Sequence, residues 1–235
     1  PPPPPPPTHT QSRRQRQMCI RDRDRPSPSV QMRITPLGAV EVLSTHDQIL
    51  GGESGQVFMG SRFPANPEYS VQISRSARKV GELLAERGVI GRFAIDFMMT
   101  RTEDGWQDHA IELNLRKGGT THPFLTLQFL TDGNYDEASG HFLAPNGQRK
   151  FYVASDHLVV EGLDRFTPQD VLDVALMEDL HFNQATQTGS VFHMLSALPT
   201  HGYVGVTSVG DSAAEAQDRY NTVVSVLTKE ADAAR

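Results

Sequence analysis

Three polar side chains lie within two apolar segments of the sequence that are separated by a turn, and a fourth follows the second segment. Asp96 lies in the run FAIDFMM (93–99), and Glu112 and Asn114 lie in the run AIELNL (110–115). Glu112 and Asn114 are two residues apart, so they share one face of a strand, and Arg116 joins that face if the strand continues. If the two segments pair, Asp96 lies across from them. The spacing therefore predicts a sheet face that carries two carboxylates, one amide and one guanidinium.

A face of this kind suits a divalent cation. Buried carboxylates are costly unless a positive charge compensates them. Mg²⁺ prefers oxygen ligands in octahedral geometry and is commonly held by one or two carboxylates together with water and phosphate oxygens. Asn114 offers a neutral oxygen, and Arg116 can stabilise the charge of a phosphate or acyl phosphate. An ordinary amphipathic strand with a polar solvent face fits the same alternation.

The segment KGGTTH (117–122) follows the second run directly. Two consecutive glycines allow backbone N–H groups to approach an anion closely. The segment therefore favours the metal interpretation, and its side chains and backbone are predicted contacts to a phosphate or a substrate: Lys117, Gly118, Gly119, Thr120 and His122.

The elements that must position these residues are predicted from local signals. Alternating apolar runs on either side of a turn that holds Asp104-Gly105 indicate a β-hairpin. Before it, Asn66 followed by Pro67 predicts the start of a helix that ends near Gly88 and backs the hairpin. Residues 30–60 read as strands and tight loops, interrupted by Pro36 and Gly38.

The second half of the chain continues the mixture of helices and strands. Residues 125–130 fit a helix or a strand equally well, and a hairpin is predicted around residues 145–147. Capping boxes predict helices after Thr167 and Ser212, with two strands between them at residues 190–198 and 203–209. His193 is expected to be a hydrogen-bonded core histidine. These elements together predict an α+β fold with a mainly antiparallel sheet flanked by helices.

Composition narrows the classes of partner. The 235 residues carry a formal net charge of −6 and contain one cysteine, Cys19. Residues 1–25 contain six Arg and two Asp, which leaves 16 basic and 26 acidic residues in the remainder. So acidic a domain is a poor match for nucleic acid. The lack of an 18-residue apolar run predicts no membrane span. A single cysteine and the lack of an apolar leader fit a cytoplasmic protein.

The first 29 residues are predicted to lie outside the fold. Seven prolines precede a polar, arginine-rich segment without hydrophobic periodicity, which is typical of a disordered region. The segment MCIRDR (18–23) resembles translated adapter sequence. The prediction is a disordered or artefactual tail at residues 1–29 and a folded domain at residues 30–235.

The site residues also carry a family resemblance. Asp96 in AIDF, together with Glu112-x-Asn114-x-Arg116 and a Gly-Gly loop, resembles the metal-binding end of ATP-grasp ligases. The longer run IELNLRKGGTTHPF (111–124) is similar to actinobacterial peptide ligases related to the pheganomycin-forming enzyme, as are LSTHDQILGG (43–52) and GVTSVGDS (205–212). The resemblance extends over residues 30–227.

The resemblance implies an activity and a set of ligands. Such enzymes join a small-molecule or peptide carboxylate to an amine through an acyl phosphate, with ATP and Mg²⁺ or Mn²⁺. By this resemblance Asp96, Glu112 and Asn114 become metal ligands and Arg116 a catalytic contact to the transferred phosphoryl group. By the same resemblance the upstream part of the site supplies three substrate contacts, which are His46, Gln48 and Arg62.

The resemblance also implies that the chain is a C-terminal, partial ATP-grasp domain, truncated at its N-terminus, since the nucleotide-clamping half precedes the motif in that family. Two other classes stay open. One is a metal-binding or regulatory module without catalysis. The other is a metal-dependent hydrolase in which His46 or His122 activates water.

Overall fold

A computed structural model describes residues 25–53 and 55–233, which form ten strands and five α-helices. The strands are β1 (Pro28–Ile34), β2 (Val40–Gly51), β3 (Val57–Phe63), β4 (Gly91–Thr102), β5 (Gly105–Asn114), β6 (Asn134–Asp136), β7 (His141–Leu143), β8 (Phe151–Val159), β9 (Gly189–His193) and β10 (Tyr203–Gly210). The α-helices are α1 (Ser70–Glu86), α2 (Thr121–Thr131), α3 (Pro168–Met177), α4 (Leu198–His201) and α5 (Ala213–Ala233).

Eight of the strands form one sheet in the order β5-β4-β1-β2-β3-β8-β10-β9, and every neighbouring pair is antiparallel. Strands β6 and β7 form a separate ribbon. This mixture of a large antiparallel sheet and flanking helices confirms the predicted α+β class. The order also shows two groups of strands, β1 to β5 and β8 to β10, which meet only where β3 pairs with β8.

Hydrophobic clusters hold the helices on the sheet. Val30 and Met32 of β1 are fully buried in a cluster with Ile73 and Ala77 of α1. A second cluster joins β8 and β10 to α3 and α5, and a third surrounds Phe63 at the joint between the two groups of strands. Because side chains alternate along a strand, Ser29 and Gln31 point away from α1. That opposite face carries the polar residues described below.

The predicted hairpin is confirmed as β4 and β5, joined by a turn at residues 103–104. Its register pairs Asp96 with Glu112 and Ala94 with Asn114. A β-bulge follows, because Asp96 pairs with Glu112 while the next residue, Phe97, pairs with Ala110. Strand β5 ends at Asn114, so Arg116 lies beyond the strand rather than on its face.

Several local predictions need correction. Helix α1 begins at Ser70 rather than at Pro67, because the Asn66 side chain accepts a hydrogen bond from the Glu68 N–H and forms a turn before the helix. The ambiguous residues 125–130 belong to helix α2. The segment after β9 forms a 3₁₀ turn and α4, not a simple turn between two long strands.

The predicted hairpin around residues 145–147 is present only as a short turn, in which the Ala144 N–H donates to the Gln148 carbonyl and Leu143 bridges Arg149. Strand β7 pairs with β6, whereas β8 leaves to join the large sheet between β3 and β10. The capping box at Thr167 is confirmed. The Thr167 hydroxyl accepts a hydrogen bond from the Asp170 N–H, and the Asp170 carboxylate accepts one from the Thr167 N–H. At Ser212 the hydroxyl accepts from the Glu215 N–H, whereas the Glu215 carboxylate accepts from the Asp211 N–H.

The fold begins slightly before the predicted boundary at residue 30. Strand β1 starts at Pro28, and Ser29 is buried opposite Asp96. The predictions for residues 1–24, including Cys19, lie outside the described residues. Among the described helices, none is both long and apolar enough to cross a membrane.

Candidate active site

Two adjoining clefts lie on the face of the sheet opposite α1. The first, here called the polar cleft, has a volume of about 330 Å³. It receives side chains from β1, β2, β3, β4, β5 and β8, and the loop before α2 borders it. Its lining residues are Ser29, Gln48, Gln56, Phe58, Ala94, Asp96, Glu112, Asn114, Arg116, Gly118, Gly119, Thr120 and Asp156.

The predicted metal ligands come together in this cleft. Asp96 and Glu112 are cross-strand partners, and Asn114 donates a hydrogen bond from Nδ2 to Asp96 Oδ2 at 3.1 Å. Burial raises the pKa of Asp96, and repulsion by Glu112 raises it further, whereas hydrogen bonds from Ser29 and Gln48 oppose the shift. Two carboxylates that face each other in this way favour a cation between them.

The chemistry of this donor set fits Mg²⁺ or Mn²⁺. It offers two carboxylates and one amide, which are oxygen ligands of the kind that hard divalent cations prefer. Within the described residues, no three His, Cys, Asp or Glu side chains lie close enough to hold a metal ion on their own. A site here therefore depends on the amide and on oxygen atoms from outside the protein.

The Gly-Gly loop is held against the sheet by Gln31 of β1. The Gln31 side-chain Nε2 donates to the Thr120 hydroxyl, and the Thr121 hydroxyl donates to the Gln31 side-chain Oε1 at 3.2 Å. The Gly118 N–H donates to the Thr121 hydroxyl at 3.2 Å. A Cβ on Gly119 would lie 2.7 Å from the Phe58 ring, so only glycine fits without a shift of that ring.

Arg116 and Lys117 lie at the rim. Arg116 is exposed, lines the polar cleft, and donates from Nη1 to the Lys117 carbonyl at 3.2 Å. Lys117 is exposed and does not line either cleft. The structure thus brings the predicted residues Arg116, Gly118, Gly119 and Thr120 to the polar cleft, but not the Lys117 side chain.

The second cleft, here called the apolar cleft, has a volume of about 270 Å³ and shares four residues with the first. Its lining residues are Phe58, Gly60, Ser61, Gly118, Gly119, His122, Pro123, Ala154, Ser155, Asp156, His193 and Met194. The predicted residue His122 lies here, with its ring centre 4.4 Å from that of His193.

His193 is less buried than the core residue that its apolar strand suggested, although its ring has a hydrogen bond to the Val206 backbone. It is half-buried and lines the apolar cleft, and its Nε2 is buried without a partner in the described structure. Burial, followed by the charge of His122, lowers its pKa to about 4. The imidazole is therefore neutral near pH 7.

Two other predicted contacts lie elsewhere. His46 is fully buried beneath the sheet face, where Nε2 lies 2.8 Å from the Ser44 hydroxyl and Nδ1 lies 3.1 Å from the Tyr152 hydroxyl. Arg62 is exposed, and its Nε donates to Gln217 at 3.3 Å. Neither lines a cleft, so His46 is not placed to activate water for the hydrolase alternative.

The sequence analysis missed Ser29 and Asp156 in the polar cleft. Ser29 was assigned to the predicted tail at residues 1–29 because of that segment's composition. Its polar side chain before the apolar Val30 nevertheless fits the alternation of a strand. Asp156 lies on β8, whose place beside β3 is set by a long-range pairing. No local signal in the sequence predicts that pairing.

Comparisons with known proteins agree with this architecture. Residues 24–138 match the family model described as IQCH-like, ATP-grasp, and residues 170–223 match the PGM1 C-terminal domain. The L-propargylglycine–L-glutamate ligase of Streptantibioticus cattleyicolor is 32% identical over 190 residues, which are 81% of this chain and 38% of the ligase. The chain thus spans less than half the length of that curated relative.

Solved structures share the fold at low identity. The phosphoribosylaminoimidazole carboxylase ATPase subunit from Aquifex aeolicus is 13% identical, with a TM-score of 0.53 over 86% of this chain and 56% of that one. The biotin carboxylase domain of the Hydrogenobacter thermophilus 2-oxoglutarate carboxylase, solved with MgADP and bicarbonate, is 14% identical, with a TM-score of 0.54 over 85% and 44% of the two chains. Residues 24–138 are thus similar to an ATP-grasp family, and the solved structures show a shared fold.

Proposed function

We propose that this chain is part of an ATP-dependent ligase that joins a carboxylate to an amine through an acyl phosphate. The observation that carries the proposal is the pairing of Asp96 with Glu112, with Asn114 beside them, in a cleft bordered by the Gly118-Gly119 loop. The similarity to an L-propargylglycine–L-glutamate ligase supports amino acids as the substrate class.

In this proposal Asp96, Glu112 and Asn114 hold Mg²⁺. When bound there, the ion would neutralise negative charge on the phosphates of ATP. Ser29 and Gln48 keep the Asp96 carboxylate oriented by their hydrogen bonds. Arg116 lies at the rim of the same cleft, where its guanidinium is placed to stabilise the charge of a transferred phosphoryl group or an acyl phosphate.

The loop before α2 forms the other wall. Gln31 fixes its Thr120 and Thr121 hydroxyls, so the Gly118 and Gly119 backbone is held in place before any ligand binds. Backbone preorganised in this way can approach a phosphate oxygen without a side chain in between.

The test is the stoichiometry of ADP and amide in the complete protein. With ATP, glutamate and a small apolar amino acid, we expect one ADP for each amide bond formed. Glu112→Gln should lower the rate by at least about a hundredfold, because the lost charge acts on the phosphoryl-transfer step. Glu103→Gln, in the exposed turn of the same hairpin, is the matched control and should retain full activity.

Release of ADP without amide would instead indicate an ATPase, and amide-bond cleavage without nucleotide would support the hydrolase. Wild-type rates in Glu112→Gln would reject the assignment of the metal ligands.

A further inference from the structure

Asp156 is a half-buried carboxylate without a partner. It lines both clefts, and its side chain makes no hydrogen bond or ion pair within the described part of the chain. Its carboxylate is therefore free to pair with a cationic group of a ligand that enters either cleft.

The backbone of β8 places Asp156 where the two clefts meet. Val206 of β10 pairs with Ser155, whereas Val204 pairs with Leu158, so β8 has one extra residue at Asp156 and His157. This β-bulge redirects the side chains at that point. The Ser155 hydroxyl stabilises the bulge, because it accepts from the His157 N–H at 3.1 Å and donates to the Met59 carbonyl at 2.7 Å.

Neighbouring charges do not satisfy Asp156. Arg116 lines the same polar cleft, but its guanidinium donates to the Lys117 carbonyl. On the apolar side, His122 forms no ion pair with Asp156 among the described residues, and His193 is neutral near pH 7 because burial lowers its pKa. Asp156 is also too distant from Asp96 and Glu112 to share a metal ion with both, since no such group of three exists in the described residues.

The side of the junction away from the metal ligands is mainly apolar. Phe58, Pro123, Ala154 and Met194 line this cleft. A ligand that extends from Asp156 into it therefore needs a cationic group at one end and an apolar group at the other.

We propose that Asp156 binds the ammonium group of an amino substrate whose apolar side chain occupies the apolar cleft. This inference rests on the proposed ligase function and specifies its amine substrate. The bound ammonium group is held between the apolar cleft and the polar cleft, on the side that faces Arg116, and it must give up a proton to water before the neutral amine can attack an activated acyl group there. Asp156 acts here as a binding residue, which sets specificity for an amine carrying an apolar side chain.

The test compares two probes on the full chain. L-leucinamide has an ammonium group and an apolar side chain, and 4-methylpentanamide is the same molecule without the amine. Amide signals of Gly118 and Gly119 in ¹H–¹⁵N NMR titrations report binding at the clefts. Wild type should bind L-leucinamide at least about tenfold more tightly than 4-methylpentanamide, and Asp156→Asn should abolish that preference.

Asp132→Asn is the matched control, since it removes the charge of an exposed carboxylate that lines neither cleft, at a left-handed position that asparagine tolerates. Asp156→Ser is a second neutral replacement if the spectrum of Asp156→Asn departs from that of the wild type. Equal affinity for the two probes in wild type, or no saturable binding of L-leucinamide, overturns the inference, as does an unchanged preference in the Asp156 variants.

A Mn²⁺ titration of the same samples separates this inference from the proposed function. Mn²⁺ binding by wild type without an amine preference removes the Asp156 site and leaves the metal site standing. An Asp156-dependent amine preference without Mn²⁺ binding supports the Asp156 site and rejects the metal site.

Discussion

Burial shifts the pKa of individual residues in and beneath the clefts. Asp96 and His46 are both withdrawn from water, and in each case burial favours the neutral form. For Asp96 this raises the pKa, whereas for His46 it lowers the pKa to about 3. Asp96 adjoins an acidic partner that a cation can neutralise. His46 is instead satisfied as a neutral ring by two hydroxyls.

The buried His46 makes stability depend on pH. The unfolded histidine binds a proton below its ordinary pKa of 6.5, and the folded one does so only near pH 3. Protons therefore favour the unfolded state within this window. The stabilisation is complete above pH 6.5 and is lost as the pH falls from 6.5 towards 3, by up to about 1.4 kcal/mol per pH unit.

Urea unfolding at a series of pH values measures this dependence. Between pH 6 and pH 4, His46→Gln should show a shallower fall of the unfolding free energy than wild type, because glutamine does not titrate. His201→Gln, at an exposed position, should keep the wild-type slope. Identical slopes in wild type and His46→Gln would show that His46 is protonated in the folded state.

At the scale of secondary-structure elements, the site depends on the joint between β3 and β8. Only Ser61, Arg62 and Phe63 of β3 are paired with β8. Gly60 precedes them, and a Cβ at that position would lie 2.1 Å from the Ala154 carbonyl oxygen. The close approach of the two strands therefore requires glycine, and it brings Asp156 towards the proposed metal ligands of β4 and β5.

Gly60→Ala should destabilise the protein by about 1–3 kcal/mol, because backbone atoms must move to accept the methyl group. Gly38→Ala tests the effect of a methyl group in open space at a left-handed position, and should cost at most about 1 kcal/mol. Unfolding free energies from urea titrations compare the two. A loss in Gly60→Ala no larger than that in Gly38→Ala would contradict the close approach.

The β4–β5 hairpin could be predicted from sequence, whereas the joint could not. The hairpin follows from two alternating runs and a glycine turn, which are short-range signals, and its register brought Asp96 to Glu112 as expected. The position of β8 depends on packing between residues that are far apart in the chain. Local spacing at residues 145–147 suggested a different partner, and for that reason Asp156 and its bulge were missed.

The start of the fold and the environment of His193 also could not be predicted from local sequence. Ser29 was assigned to the tail because composition is averaged over a window, although strand β1 begins at Pro28. His193 was predicted to be a satisfied core residue from its apolar neighbours in sequence. Its position beside His122 depends on how the edge strand β9 meets the start of α2.

At the scale of the whole molecule, one sheet carries the two proposed binding sites. The β1 to β5 group supplies the predicted metal ligands, and the β8 to β10 group supplies Asp156 and His193. The family matches at residues 24–138 and 170–223 include the first group and His193, whereas β8 and Asp156 lie between the two matches. The proposed metal and amine sites therefore lie on different parts of the fold and meet along the joint.

The most direct test of the central claim is a Mn²⁺ titration of this chain followed by electron paramagnetic resonance, which distinguishes free from bound ion. Wild type and Glu103→Gln should bind one Mn²⁺ that Mg²⁺ displaces, whereas Glu112→Gln should bind at least about tenfold more weakly. Equal affinity in wild type and Glu112→Gln, or the lack of a saturable site in wild type, would contradict the assignment of Asp96, Glu112 and Asn114 as the metal site.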